Sequence, residues 1–253
     1  MISKLFPRRR PDEEPARVPT GRRLFVIGDV HGCVGLLRRL HGLIEKHAAA
    51  ENYTSNNVVI YLGDYIDRGA DSRGVVDLLL DNPLPGFECV FLKGNHEDSL
   101  LRFLGDIWHG PQWLTYGGDA TLQSYGVRLP RLATESAELQ RAQAEFARSL
   151  PPRHLRFFNR LRCCHIEGDY AFVHAGVRPG IPIGEQSEED LLWIRDEFLR
   201  SKAEFGKIVV HGHSIADAPT VKHNRIGIDT GAFATGCLTC LVLEGTNRHF
   251  LQT

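Results

Sequence analysis

The sequence predicts an α/β protein: a sandwich of two mixed β-sheets flanked by helices, with a helical insert in mid-chain. Three observations lead there. Short apolar runs, Leu24–Ile27, Val58–Leu62 and Val90–Leu92, alternate with segments of helical periodicity. Each run is followed at once by a polar stretch rich in glycine that carries Asp, His or Asn. A second series of β-rich runs follows a long helical stretch.

In chain order, residues 1–21, "MISKLFPRRRPDEEPARVPTG", are rich in proline and mixed charge and read as a disordered tail. The domain is expected over 22–253. Leu24–Ile27 reads as the first strand, and Leu36, Leu37, Leu40, Leu43 and Ile44 mark one helical stripe. Val58–Leu62 is a second strand, Val75–Leu80 lies in a second helix, and Val90–Leu92 is a third strand before the helical "EDSLLRFL". Such near-continuous apolar strands between helices imply parallel pairing, buried on both faces. From about 106 to 160 the chain is helical and without a strand signal, an insert expected to lean over the strand ends. "LRCCHIEGDYAFVHAG" reads as a hairpin turning at Glu167-Gly-Asp169, and Ser187 starts a helix through "LLWIRDEFL". "KIVVHGHS", "RIGIDTG" and "CLTCLVLEG" complete a second, more antiparallel set.

Composition narrows the function. The 253 residues carry 30 basic and 31 acidic side chains, so no global field recruits nucleic acid or an anionic membrane. No apolar run is long enough to span a bilayer, and Pro7 and the arginines interrupt any signal-peptide core. Six cysteines do not make a disulfide framework in a chain of this size, and a reducing cytoplasm suits them. Cys237-Leu-Thr-Cys240 lacks a second Cys/His pair nearby and reads as strand packing, as do Cys163 and Cys164.

The polar residues at strand ends are Asp29, His31, Asp64, Asp67, Asn95, His96, His174 and His213. In parallel sheets the loops leaving the strand C-termini lie side by side, so these should converge. Clustered carboxylates resist ionising together unless cations neutralise them. Mixed oxygen and nitrogen donors without thiolate suit manganese, iron or zinc. One Asp shared by two such ions would hold them ~3.5–4 Å apart, the spacing used for in-line displacement at phosphorus. Taken singly, each residue has an ordinary alternative: Gly-Asp is a common turn, Asp67-Arg68 a surface ion pair, His174 a strand-end histidine.

The ordered set is more specific. "GDVHG" (28–32), "GDYIDRG" (63–69) and "GNHE" (94–97) resemble the three signature stretches of the PPP family of metallophosphoesterases, the phosphoprotein phosphatases. Order and spacing are similar to its bacterial members, including the phage lambda phosphatase type. "HAG", "LLWIRDE", "HGHS" and "IDTGAF" extend the resemblance from Leu24 to Glu244. It implies the calcineurin-like metallophosphoesterase fold and two divalent ions, manganese foremost, with iron or zinc as alternatives. Asp29, His31 and Asp64 would hold one ion; Asp64, Asn95, His174 and His213 the other. Arg68 and Arg195 would grip phosphate oxygens, His96 would protonate the leaving group, and Asp67 would hold His96 in place. A hydroxide bridging the ions would attack phosphorus directly, with no phosphoenzyme. Of the two histidines in "HGHS", the resemblance picks His213 and leaves His211 a strand-end or outer role. Tyr65 and Phe233 read as core packing. His109, His165, His223 and His249 have no motif around them.

The implied activity is hydrolysis of phosphoserine and phosphothreonine monoesters, with phosphotyrosine as a further substrate. A sister bacterial group hydrolysing diadenosine polyphosphates shares the first and third stretches. Its members commonly lack an acid where this chain has Asp67 and carry Asp where it has Glu97, so "DYIDRG" and "GNHE" point to the phosphatase. A non-catalytic, metal-stabilised module is disfavoured because Asp67, Arg68 and His96 are all present. The partner is therefore a phosphoprotein or small phosphoester, with neither nucleic acid nor membrane. The eukaryotic "SAPNYC" stretch is missing, so regulatory-subunit binding does not carry over.

Overall fold

The computed structural model describes residues 15–50, 56–81, 84–129 and 136–253. The first half alternates: β1 (Arg22–Ile27), α1 (Val34–Ala50), β2 (Asn56–Tyr61), α2 (Ser72–Leu80), β3 (Glu88–Phe91) and α3 (Asn95–Gly105). A helical stretch follows, with α4 (Gly110–Thr115), α5 (Gly118–Ser124), α6 (Ser136–Ser149) and α7 (Pro152–Arg160). The hairpin β4 (Cys164–Glu167) and β5 (Tyr170–Val173) leads to α8 (Glu188–Trp193), α9 (Asp196–Leu199) and β6 (Ile208–His211). The chain ends with β7 (Thr220–Val221), β8 (Arg225–Gly227), α10 (Ala232–Thr235), β9 (Thr239–Glu244) and β10 (Asn247–Gln252).

Two five-stranded sheets result, ordered β10-β9-β1-β2-β3 and β4-β5-β6-β8-β7. β1, β2 and β3 pair in parallel, as their unbroken apolar runs require. Side chains alternate across each strand. Leu24, Val26, Val58, Ile60, Leu241 and Leu243 face Tyr170, Phe172, Ile208 and Val210 of the second sheet. Phe25, Ile27, Val59 and Tyr61 point the other way, into the core beneath α1, α2 and the middle helices. Val173, Val209 and Phe198 form a third cluster on the outer face of the second sheet. The architecture is thus the expected two-sheet sandwich between helices.

Four local expectations are corrected. "CLTCLVLEG" contributes β9 to the first sheet, antiparallel to β1, and a tenth strand that the sequence did not disclose pairs beyond it. The second sheet is mixed as expected but not the more antiparallel of the two, since each sheet has two parallel and two antiparallel pairings. "LLWIRDEFL" is two short helices broken at Arg195 (φ −130°, ψ −99°). The tail expected over 1–21 includes packed chain: Ala16 and Val18 are buried, and the Val18 amide donates to Gly245 O at 2.9 Å. Residues 1–14 of that stretch lie outside the described residues.

Candidate metal centre

The polar motifs at the exits of β1, β2 and β6 pass through backbone that ordinary residues avoid. His31, Asp64, Asp67, Arg68 and His213 have φ between 44° and 71°, and they are the only non-glycine residues with positive φ among those described. Each costs on the order of 1–3 kcal/mol, so such residues persist only where surrounding bonds over-determine them. Those bonds are visible. The amides of Val30 and His31 both donate to Asp64 O, at 3.0 and 2.8 Å, tying the first exit to the second. The Asp64 amide donates to Glu97 Oε2 at 2.9 Å and the Tyr65 amide to Glu97 Oε1 at 2.8 Å, tying the second exit to α3. Glu97 also accepts from the Gly94 amide at 2.9 Å, closing the first turn of α3. Glu97, quoted within its motif but given no role from sequence, thus fixes the turn that presents Asp64.

Two glycines have a steric reason. A Cβ at Gly94 would land on the Asp64 carboxylate, and one at Gly212 on that of Asp29. Only glycine lets these backbones approach so closely.

The convergence that the motifs imply is present. Asp64 Oδ2 lies 3.5 Å from His31 Nε2, 3.4 Å from His174 Nε2 and 3.7 Å from His96 Nε2. His31 Nδ1 donates to Ile66 O at 2.8 Å and His174 Nδ1 to Leu62 O at 2.9 Å, so in both rings Nε2 faces the cluster. Two potential ligand groups form, His31–Asp64–His96 and Asp64–His174–His213, and Asp64 belongs to both. Asn95 Oδ1 lies 2.9 Å from His174 Nε2. Asp29 Oδ2 accepts from the His213 amide at 3.0 Å, while Asp29 Oδ1 and His213 Nε2 are buried without a hydrogen-bond partner.

Those orphaned atoms test whether cations fit. Burial, then the Asp229 charge, push the Asp29 carboxyl well above its ordinary range. Burial also raises Asp64, yet the neighbouring His174 and His96 hold it well below the usual range. Burial lowers His31 to about 3 and His213 to about 2, which leaves both neutral, the form that ligates metal. Burial opposes charge on His174 as well, but the Asp64 carboxylate outweighs it and lifts His174 to about 9. An imidazolium here does the neutralising that a cation among buried carboxylates would do. Unpaired buried donors, neutral imidazoles and excess carboxylate all fit divalent ions.

Around this cluster stands a second constellation. His96 Nδ1 donates to Asp67 Oδ2 at 2.6 Å. Trp113 Nε1 donates to the same oxygen at 2.8 Å, and the Thr121 hydroxyl donates to Asp67 Oδ1 at 2.5 Å. Trp113 and Thr121 come from α4 and α5, and the Arg68 amide donates to Gly117 O between them. The helical stretch therefore supplies partners to the motif loop, which no local sequence signal announced. Burial opposes a charge on His96, but Asp64 and the bond to Asp67 raise its pKa above the ordinary value.

The two arginines differ. Arg68 Nη1 lies 3.0 Å from His31 Nε2, and its guanidinium sits 4.8 Å from the centre of the Phe233 ring. Phe233 is exposed, against the expectation of core packing, and its ring meets His31 edge-on at 5.3 Å. Tyr65 is in the core, as expected. Arg195, at the break between α8 and α9, is exposed, and its charge reaches the His213 ring. His211 is buried against Phe198 and belongs to neither ligand group. Asp229, unassigned from sequence, is buried and acts on Asp29.

The chain is similar to several known proteins. Serine/threonine-protein phosphatase 2 of Escherichia coli (strain K12) is 31% identical over 231 residues, 86% of this chain and 91% of its own length. Bis(5'-nucleosyl)-tetraphosphatase PrpE of Anoxybacillus flavithermus is 24% identical over 236 residues, 85% and 88% of the two chains. The solved cold-active protein-tyrosine phosphatase of a psychrophilic Shewanella species aligns with a TM-score of 0.55 over 99% of this chain and 91% of that one; at 16% identity it speaks for the fold alone. The profile of the calcineurin-like phosphoesterases matches residues 22–234, and the chain belongs to that family of metallophosphoesterases.

Proposed function

We propose that the protein is a metal-dependent phosphoprotein phosphatase acting on phosphoserine and phosphothreonine, with phosphotyrosine as a further substrate. Two divalent ions, manganese foremost and iron or zinc as alternatives, would be held by Asp29, His31 and Asp64 and by Asp64, Asn95, His174 and His213. Such a pair supplies Lewis-acid activation of a water and of the phosphate. The chain's own groups do the rest. Arg68 and Arg195 bind non-bridging oxygens with fixed charge and directional donors. His96 gives its Nε2 proton to the departing oxygen, and Asp67 keeps that imidazole oriented and protonated.

The observation that carries this reading is the buried His96–Asp67 pair, closed by Trp113 and Thr121. A serine or threonine alkoxide leaves poorly without a proton, so a fixed, charged imidazole beside the cluster is suited to alkyl esters. A phosphoanhydride expels a stable phosphate and needs that proton far less. The competing reading, a diadenosine polyphosphate hydrolase, is favoured by the similarity to PrpE. Turnover on phosphoserine, phosphothreonine and phosphotyrosine peptides beside diadenosine tetraphosphate, with added manganese, separates the two. Preference for the phosphopeptides is expected; preference for the dinucleotide overturns the assignment. Among the described residues no helix is long and apolar enough to cross a membrane. Six unpaired cysteines suit a reducing compartment, and we place the protein in the cytoplasm.

A further inference from the structure

A second concave feature shares no lining residue with the metal cluster. It is a groove of about 310 Å³, lined by Leu80 of α2, Phe91 of β3 and, from α7 and its end, Phe157 and Leu161 together with Arg153, Arg156 and Arg160. Phe157 closes it from the interior, packing against Tyr65 and Phe91 at ring-centre distances of 5.4 and 5.3 Å. The groove is therefore separate from the cluster.

Its charge is segregated from that of the rest of the chain. Residues 148–162, "RSLPPRHLRFFNRLR", hold five arginines and no acidic residue, in a chain whose net charge is −1. Arg153 is spent within the fold, paired with Asp77 and with Asp81 at 2.7 Å. Arg156 and Arg160 are exposed, and neither has an acidic partner among the described residues. They project from one face of α7 a single turn apart, roughly 6 Å along the axis. Alternate residues of an extended peptide repeat at about 6.6 Å. Two acidic side chains at such alternate positions match the two guanidiniums, and the side chain between them points to the opposite side. The apolar part of the lining, which includes Leu80 and Phe91 from outside α7, is available to that side chain.

We propose that this groove docks an extended acidic segment of a partner protein, in which an apolar or aromatic residue sits between two carboxylates. The arginines attract and orient the carboxylates, and the apolar lining of Leu80, Phe91, Phe157 and Leu161 takes the central side chain. Recognition here is independent of which ester the metal cluster hydrolyses.

Fluorescence polarisation on the full chain tests it, using a labelled peptide of alternating glutamates around one phenylalanine. The Arg156→Glu, Arg160→Glu double variant changes only exposed side chains and leaves the metal cluster intact. It should keep the wild-type melting temperature and p-nitrophenyl phosphate turnover. Its peptide affinity should fall roughly tenfold or more, since two exposed attractions become repulsions. Wild-type affinity should also fall as salt rises. Four results would overturn the proposal: no binding at low salt, equal binding by the variant, equal binding of a peptide with the phenylalanine moved to its end, or tighter binding of a single-stranded oligonucleotide through the same arginines.

Discussion

Replacing Asp67 by Asn isolates the acid from everything else in the centre. Asp67 accepts from His96, Trp113 and Thr121; Trp113 Nε1, a donor only, shares Oδ2 with His96, whereas the Thr121 hydroxyl on Oδ1 can also accept. The new amide nitrogen will therefore face Thr121, leaving its carbonyl oxygen for His96 and Trp113. Geometry survives, but a neutral acceptor replaces the carboxylate that keeps the imidazole charged. Hydrogen bonds to a charged group contribute ~1.5–3 kcal/mol against ~0.5–1.5 kcal/mol for neutral ones. The difference predicts a stability loss of ~1–3 kcal/mol, small enough to leave a folded enzyme at 25 °C. Positioned proton transfer contributes about 10²–10⁴-fold, so turnover of a phosphoserine peptide should fall by that order. p-Nitrophenyl phosphate, whose leaving group departs as a stable anion, should lose far less. The assay is kcat on both substrates at fixed manganese, with metal content measured on the same samples. Equal losses on the two substrates, at unchanged metal content, would refute the acid role of His96 and the positioning role of Asp67.

Asp64→Asn should reduce bound metal at both ligand groups and abolish hydrolysis, because Oδ2 faces three imidazoles; elemental analysis finding two ions in an active variant would remove the bridge. Glu97→Gln puts an amide donor against backbone N–H groups that now find a carboxylate, and should lower metal affinity by tenfold or more on titration. Gly94→Ala should cost metal binding and activity, whereas Gly42→Ala in α1, with nothing within 4 Å of its Cβ, should raise stability by about 0.5–1 kcal/mol in urea melts. Burial lowers His41 to about 4, so its folded pKa lies below the unfolded 6.5. Stability from neutral His41 is then complete above pH 6.5 and declines as pH falls towards 4, by up to ~3 kcal/mol. Replacing His41 by Gln should flatten the stability slope in that window, and an unchanged slope would assign the acid sensitivity elsewhere.

What the sequence made legible was whatever a short stretch encodes by itself. An apolar run ending in Gly-Asp or Gly-Asn both makes the strand and sets polar residues at its exit, so Asp29, His31, Asp64 and Asn95 stood out as candidates before any coordinates, and the family resemblance implied their ligand roles. The hairpin at Glu167–Tyr170 and the Ser187 cap were local too. What escaped depends on tertiary pairing. β9 reads as a strand, but nothing within it says that it pairs with β1 rather than with β8. Trp113 and Thr121 sit in helices whose periodicity explains them as core, and their bonds to Asp67 exist only once α4 and α5 fold over the second exit. Phe233 looked apolar enough to bury, yet its ring packs on the adjoining Arg68 and His31 and stays exposed. The break at Arg195 carries no glycine or proline to mark it.

The distribution of backbone strain explains why so much of this centre is built from carboxylates and amides of neighbouring loops. Five left-handed residues at ~1–2 kcal/mol each amount to much of the ~5–15 kcal/mol by which a domain is stable. A loop alone would relax. Here each strained residue, or its direct neighbour, is tied across to another exit or to the middle helices: His31 to Asp64, Asp64 to Glu97, Arg68 to Gly117, His213 to Asp29. These four ties each cross from one segment to another, so no exit can relax without loosening its neighbour. That interlocking lets the strand exits hold five buried acids, Asp29, Asp64, Asp67, Glu97 and Asp229, without collapsing outward. It also implies that ion binding, by relieving the repulsion among those acids, should raise the unfolding temperature far more in the wild type than in Glu97→Gln. An equal rise in both would mean that the exits are held independently.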